Sequence, residues 1–514
     1  MKKHLQLVLL VLFLYPQFVF ADVKLNALFT DHMVIQRETK IPIWGWADAG
    51  EKVTVKGSWG KKASTVADKN GAWKLTLKTP KAGGPYQITV SGKNKILIDD
   101  VLSGEVWLCT GQSNMDFALE KFLNNAKDPK HQPLVEYVRN EVAQANDNQI
   151  RHIEVLQNTS VYEKQTDFSG KWVSAKGEDV KKISATGYFF AKELRQHLNV
   201  PIGLVECSWG GTRIQPWISE EAFLADQNLR EYFLASRKET ENSIENWESQ
   251  AKPTGNKKPK VHPLKDMQVP ATLYNGMLNA VIPYGIKGAI WYQGESNAVN
   301  MPNDYETMFT TMINSWRADW NQGDFPFYWA QLAACKRGND KADKGWATVN
   351  DKLRRTLKLP NTGMAVLYDI GEPRDIHPHN KMDAGKRLAL WALQQDYNIK
   401  VAAVSGPLYK TKTIDGNKIE IEFTEVGAGL MVGYKNLMDP AIPVNEPLKW
   451  FEIAGVDGVW KSAEAKINAF NKIEVWNVSV LKPINVRYAW SGNPEGANLY
   501  NKEGLPAAVF STEP

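Results

Sequence analysis

Between residues 98 and 400, five short apolar runs alternate with helix-length segments: Glu105 to Cys109, Ile202 to Cys207, Gly288 to Tyr292, Phe327 to Leu332 and Met364 to Ile370. Apolar runs of this length separated by helices build a parallel sheet, because a parallel strand pair needs a crossover long enough to hold a helix. The clearest crossover is Asp304 to Trp320, whose Tyr305, Met308, Phe309, Met312, Ile313, Trp316 and Trp320 keep a 3.6-residue period. The predicted fold class is therefore α/β, with helices on both faces of the sheet.

The flanks read differently. Residues 22–97 alternate with period two, as in Val53-Thr54-Val55, Trp73 to Leu77 and Tyr86 to Val90, and Asn70-Gly71 supplies a turn. Strand patterns return beyond 401, at Lys418 to Phe423, Lys472 to Trp476 and Asn485 to Trp490. The expected organisation is a β-sandwich-like domain over 22–97, an α/β domain over 98–400 and a β-rich domain over 401–514. A polar, helix-prone stretch followed by a Lys/Pro-rich loop, 218–269, reads as an insertion covering one side of the active site.

Residues 1–21 have the form of a secretory signal: Lys2 and Lys3, an apolar run from Leu5 to Leu14, and Val19-Phe20-Ala21 as a small-residue cleavage site. Export to the periplasm or beyond, with no membrane anchor after cleavage, is the expectation. A net charge of +5 is spread along the chain, and its densest cluster, Lys257, Lys258 and Lys260, lies in the Pro/Gly-containing loop; nothing resembles a nucleic-acid footprint. Cys109, Cys207 and Cys335 each adjoin an apolar run and read as buried free thiols, with one disulfide as the alternative; no pair has zinc-ligand spacing. Nineteen tryptophans could supply sugar platforms, although core filling accounts for most of them. The sequence carries no signal for an oligomeric state.

In an open parallel sheet, ligands bind beyond the carboxyl ends of the strands. Those ends carry Gly111-Gln112-Ser113-Asn114-Met115, Ser208-Trp209-Gly210-Gly211-Thr212, Gln293-Gly294-Glu295-Ser296-Asn297 and Asp375-Ile376-His377-Pro378. A serine between strand and helix is exposed and sits where developing negative charge is favoured. Ser113 has this setting; Ser296, in a similar Gly-x-Ser-Asn context, is its rival, and helix capping is the plain structural role for either. Among the eight histidines, His377 projects from a loop of the same set, with Asp375 and His379 beside it.

Taken together, these motifs resemble the sialate O-acetylesterase family of the SGNH (GDSL-like) hydrolase superfamily. Gly210-Gly211-Thr212, Tyr274-Asn275-Gly276, Trp316-Arg317 and Asn501 to Pro506 support the likeness, which extends over nearly all of the chain beyond the signal. The resemblance implies a flavodoxin-like three-layer catalytic domain and a serine mechanism without cofactor or metal, on an acetylated carbohydrate. It makes Ser113 the nucleophile and His377 the base, and leaves Ser296 without a nucleophilic role. The N–H groups of Ser113 and Gly211 and the side-chain amide of Gln293 are the implied oxyanion hole. Many SGNH enzymes place the acid three residues before the histidine, but position 374 is Arg; Asp375 is the substitute, and a Ser–His dyad stays open. Asn114, Trp209, Arg213, Trp217, Trp291 and Glu295 are the candidate substrate-binding residues, with Arg213 suited to a sialic acid carboxylate. An acetylated xylan or xyloglucan substrate keeps the same chemistry. A non-catalytic carbohydrate-binding protein is the reading from another class, and a lipase is disfavoured because no Gly-x-Ser-x-Gly elbow occurs.

Overall fold

In the computed structural model, residues 22–249, 261–336, 338 and 340–513 are described. The expected signal at 1–21 and residues 251–260 of the Lys/Pro-rich loop lie outside them. The central sheet uses seven strands: β1 (Lys95–Gly111), β2 (Asn146–Glu154), β3 (Val173–Lys176), β4 (Ile202–Ser208), β5 (Gly288–Tyr292), β6 (Phe327–Ala330) and β7 (Thr362–Ala365). Their spatial order is β3-β2-β4-β1-β5-β6-β7. All neighbours are parallel except the β3–β2 edge pair.

Five helices matter for the site: α1 (Ser113–Asp116), α2 (Ala185–Leu198), α3 (Tyr305–Trp320), α4 (Asp340–Arg355) and α5 (Lys381–Asp396). Alternation along β6 shows the layering, since successive strand residues point to opposite faces. Phe327 and Trp329 pack on Phe309 of α3, with ring centroids 5.9 and 5.1 Å apart. Tyr328 between them turns the other way, against Trp107 of β1, and donates its hydroxyl to Asp396 of α5 at 2.6 Å. Helices thus cover both faces, as the apolar runs predict.

Two details depart from the sequence reading. The expected strand Glu105 to Cys109 is the second half of the seventeen-residue β1. Its first half pairs antiparallel with Gly83–Ser91 and runs beside Val34–Gln36 in the N-terminal sheet. No loop separates that sheet from the central one at 97/98; a single strand serves both. The expected strand Met364 to Ile370 is instead β7 over Thr362–Ala365, followed by a 3-10 turn at Tyr368–Ile370. That turn carries Asp369 into a bidentate pair with Arg387 of α5, at 2.6 and 2.8 Å.

Beyond 400 the chain forms small antiparallel sheets, including Leu408–Asp415, Lys418–Thr424, Ile473–Trp476 and Glu464–Ile467 in one, and Phe451–Gly455, Pro483–Tyr488 and Phe510–Ser511 within another. They dock on the central unit, where Val509 N donates to Gln331 Oε1 at 3.3 Å and the Tyr368 and Tyr488 hydroxyls meet at 3.2 Å. Cys109, Cys207 and Cys335 are buried free thiols.

Candidate active site

The carboxyl ends of β1, β4 and β5 and the 371–381 loop meet around one open cavity of about 810 Å³. Gly111 ends β1 with φ +135, and Ser113 opens the short turn α1 directly after it. At the other end of the domain, Asn380 caps α5 by accepting from the Asp383 N–H at 3.0 Å, fixing where the preceding loop arrives. His377 on that loop brings Nε2 to 2.8 Å from Ser113 Oγ, across 264 residues of chain. Ser113 is 7% exposed, and both residues line the cavity. Ser296 also lines it, but its hydroxyl donates to the Gly211 carbonyl at 2.9 Å. Geometry therefore separates the two Gly-x-Ser-Asn serines.

Burial, reinforced by the Lys381 ammonium, depresses His377 to about 4, against a weaker opposing pull from Asp375. The imidazole is therefore neutral at pH 7 and able to accept a proton. Asp375 Oδ1 accepts the His377 backbone N–H at 3.0 Å and lies 3.7 Å from Nδ1, an ion-pair separation longer than a hydrogen bond. Its Oδ2 meets Lys127 Nζ at 2.9 Å. Burial alone would raise the Asp375 carboxyl, but Lys127 and the His377 N–H hold it below the usual range.

A second carboxylate anchors the loop. Glu372 Oε1 accepts from His379 N at 2.6 Å and lies 2.8 Å from His379 Nδ1, while Oε2 is 3.3 Å from His131 Nδ1. Buried Lys381 donates to Asn114 Oδ1 and lies over the Phe122 and Tyr292 rings. Burial lowers that ammonium to about 7, with Glu295, Glu372 and Asp375 opposing the shift.

Several sequence expectations need correction. Asn114 is 1% exposed and does not line the cavity; its Nδ2 donates to Glu295 Oε1 at 2.6 Å and to the Ile376 carbonyl at 3.1 Å, tying α1 to the histidine loop. Trp217 and Trp291 are fully buried. They cross edge to face at 6.4 Å between the sheet and α3, because indoles at strand ends fill the layer beneath the loops. Half-buried Trp209 packs on the core and also lies off the cavity. Gln293 is fully buried, with Nε2 within 3.0, 2.9 and 3.1 Å of Thr212 O, Asn297 Oδ1 and Gln112 Oε1, and it does not line the cavity.

Arg213, Glu295 and Gly211 do line the cavity. Gly211 has φ +78, a left-handed conformation that favours glycine. Arg213 Nε donates to Gln268 Oε1 at 3.1 Å, and among the described residues it has no carboxylate partner. Gln268, from the stretch read as an insertion, lines the cavity. Sequence pattern does not single out Lys127, Glu372 or Lys381; of the further residues here only Gln112 carries a signal, its place in the Gly-Gln-Ser-Asn-Met motif. Among the described residues, no cluster of His, Cys, Asp and Glu could hold a metal ion, and no helix is long and apolar enough to cross a membrane.

A family model for carbohydrate esterases, the sialic acid-specific acetylesterases, matches residues 103–246 and 240–394. The mouse sialate O-acetylesterase is 29% identical over 93% of this chain and 92% of its own length, and the rat sialate O-acetylesterase 30% identical over 94% and 92%. Among solved structures, a carbohydrate acetylesterase from Xanthomonas citri superposes with a TM-score of 0.78 at 35% identity, covering 96% of this chain and all of that one. With its α/β core and this cavity, the chain belongs to the sialic acid-specific acetylesterase family of carbohydrate esterases and is itself an ester hydrolase.

Proposed function

We propose that this enzyme is an exported O-acetylesterase that removes acetyl groups from sugar hydroxyls, sialic acids first among them, through an acyl-enzyme on Ser113. One observation carries the reading: an imidazole made neutral by its surroundings stands 2.8 Å from a serine hydroxyl on the cavity floor. His377 takes the Ser113 proton as Oγ attacks the acetyl carbonyl. The oxyanion is met by the N–H groups of Ser113 and Gly211. His377 then returns the proton to the leaving sugar oxygen, and afterwards activates the water that releases acetate. Asp375 favours the imidazolium electrostatically, from 3.7 Å.

The sugar side is open, as a small acyl group on a large alcohol requires. Arg213 edges the cavity without a carboxylate partner among the described residues, which suits the carboxylate of a sialic acid. The curated relatives named above are sialate O-acetylesterases, in line with this preference. The central unit reads as an SGNH flavodoxin-like three-layer domain over 98–400, carried between β-rich units at 22–97 and 401–514, and residues 1–21 as the signal that directs export.

The test is acetate release from O-acetylated sialic acids set beside acetylated xylan and xyloglucan oligosaccharides, for the wild type and Ser113→Ala. Release from the sialic acids, abolished in the variant, is expected. Release from the neutral glycans alone moves the substrate to the plant polysaccharides. Undiminished release by Ser113→Ala refutes the mechanism.

A further inference from the structure

We infer that the side-chain donor of the oxyanion hole is Gln112, and that Gln293 and Tyr305 stand behind it as positioning residues. This assignment rests on the Ser113 reading above. Gln112 immediately precedes the nucleophile, is 3% exposed, and contributes to the cavity wall together with Ser113 and Gly211.

Its amide orientation follows from its neighbours. The Thr212 carbonyl can only accept, so the Gln293 atom 3.0 Å away is Nε2. Gln293 Oε1 correspondingly accepts from the buried Tyr305 hydroxyl at 2.8 Å. Gln293 Nε2 shares its two hydrogens among Thr212 O, Asn297 Oδ1 and, at 3.1 Å, Gln112 Oε1, and the Ser296 backbone N–H approaches the same Gln112 oxygen at 3.4 Å. Two donors hold the Gln112 oxygen toward the β5 side, which turns its Nε2 the other way. No acceptor among the described residues takes that Nε2, and it is not among the sealed, unpartnered polar atoms. A buried amide nitrogen left free at a cavity wall beside a nucleophile is placed to donate to charge that appears only during reaction.

The chain Tyr305 hydroxyl to Gln293 to Gln112 also polarises the terminal N–H groups, because hydrogen bonds in series strengthen one another in a low-dielectric interior. It explains why Gln293 is fully buried while its motif adjoins the site: Gln293 orients a donor and does not itself touch substrate.

The experiment uses the full chain with an acetylated sugar as substrate, comparing Gln112→Ala, the near-isosteric Gln112→Glu, Gln293→Ala and Gln112→Ala/Gln293→Ala. Loss of one oxyanion donor reduces kcat about 10²–10³-fold, and KM should stay within about threefold, since the bond forms only in the transition state. Gln293→Ala should lose less than Gln112→Ala, and the double variant no more than Gln112→Ala. A kcat within about threefold of wild type in either Gln112 variant overturns the assignment, as does a Gln293→Ala loss exceeding that of Gln112→Ala. Should the variants fail to fold, a crystal structure of the unmodified protein inactivated by a methylphosphonate ester decides. A phosphonyl oxygen within about 3.2 Å of Gln112 Nε2 supports the assignment, and one directed elsewhere overturns it. Undiminished turnover by Ser113→Ala removes the underlying mechanism instead, so the two failures are distinguishable.

Discussion

Gly111 has no room for a side chain, and Gly111→Ala tests how the backbone holds Ser113. The residue ends β1 at φ +135, where a side chain is strained in any surroundings. A Cβ there would lie 2.3 Å from the Tyr292 carbonyl oxygen, 2.7 Å from its carbon and 2.9 Å from its nitrogen, all backbone atoms of β5. Restoring ordinary contact distances requires roughly 1 Å of movement between β1 and β5. Backbone strain of about 1–3 kcal/mol and overpacking of about 1–3 kcal/mol together cost roughly 2–6 kcal/mol, a large share of a typical domain's stability. Gln112 N donates to that same Tyr292 carbonyl at 3.0 Å, so the displacement passes directly to Ser113. An error of that size at a reacting atom costs on the order of 100-fold in rate. The assays are urea unfolding followed by tryptophan fluorescence and kcat/KM for acetate release. An unfolding midpoint unchanged within error, with kcat/KM within about threefold of wild type, would refute the reasoning.

Four further outcomes are expected. The kcat/KM of the wild type should fall only as pH drops toward about 4, where His377 takes up its proton. Lys381→Met removes a cation that disfavours the imidazolium, so the acid limb should move to higher pH while staying below 6.5, because burial persists; a limb that stays put or moves down contradicts this. Asp375→Asn removes the charge that favours the imidazolium, so kcat should fall at least about tenfold yet less than in Ser113→Ala, with the acid limb moving lower; wild-type kcat would assign Asp375 no part in the chemistry. Arg213→Met should raise KM for O-acetylated sialic acid about 10–100-fold, the range for a lost charge-assisted hydrogen bond, and leave a neutral acetylated sugar unchanged; equal effects on both substrates would place Arg213 outside carboxylate recognition.

The parts legible in the sequence are those set by local pattern. Apolar runs ending in Gly-, Ser- and Asn-rich turns predict strand ends on one edge of a sheet, and Ser113 and His377 come together there. What pattern does not carry is which way a side chain faces once the loops fold. Trp217 and Trp291 adjoin site motifs, yet the volume between sheet and α3 takes them inward. Lys381 begins an amphipathic helix and resembles a solvent-facing residue; its burial depends on Asn114, Phe122 and Tyr292, two of them more than 250 positions earlier. Gln293 was legible as a motif residue, but its commitment to Thr212 and Asn297 is a property of packing alone. The full length of β1 is hidden from pattern because its first half alternates and its second is continuously buried, two patterns in one strand.

The two carboxylates near His377 divide the work between holding and tuning. Glu372 accepts two hydrogen bonds from His379, and Asp375 N donates to the Glu372 carbonyl at 2.9 Å, so the loop is closed upon Glu372 through its own backbone. Asn114 grips the same loop from α1 through the Ile376 carbonyl. The carboxylate charge of Asp375 is in neither set of bonds. Replacing it with an amide leaves the Glu372 and Asn114 bonds in place and keeps an oxygen for the His377 N–H, and what is lost is charge, both 3.7 Å from the imidazole and in the 2.9 Å ion pair with Lys127. Glu372→Gln does the reverse: it weakens the bonds that bring His377 to Ser113 while sparing the nearer charge. A rate loss with little change in the acid limb for Glu372→Gln, against a shifted limb for Asp375→Asn, separates position from electrostatics at this site.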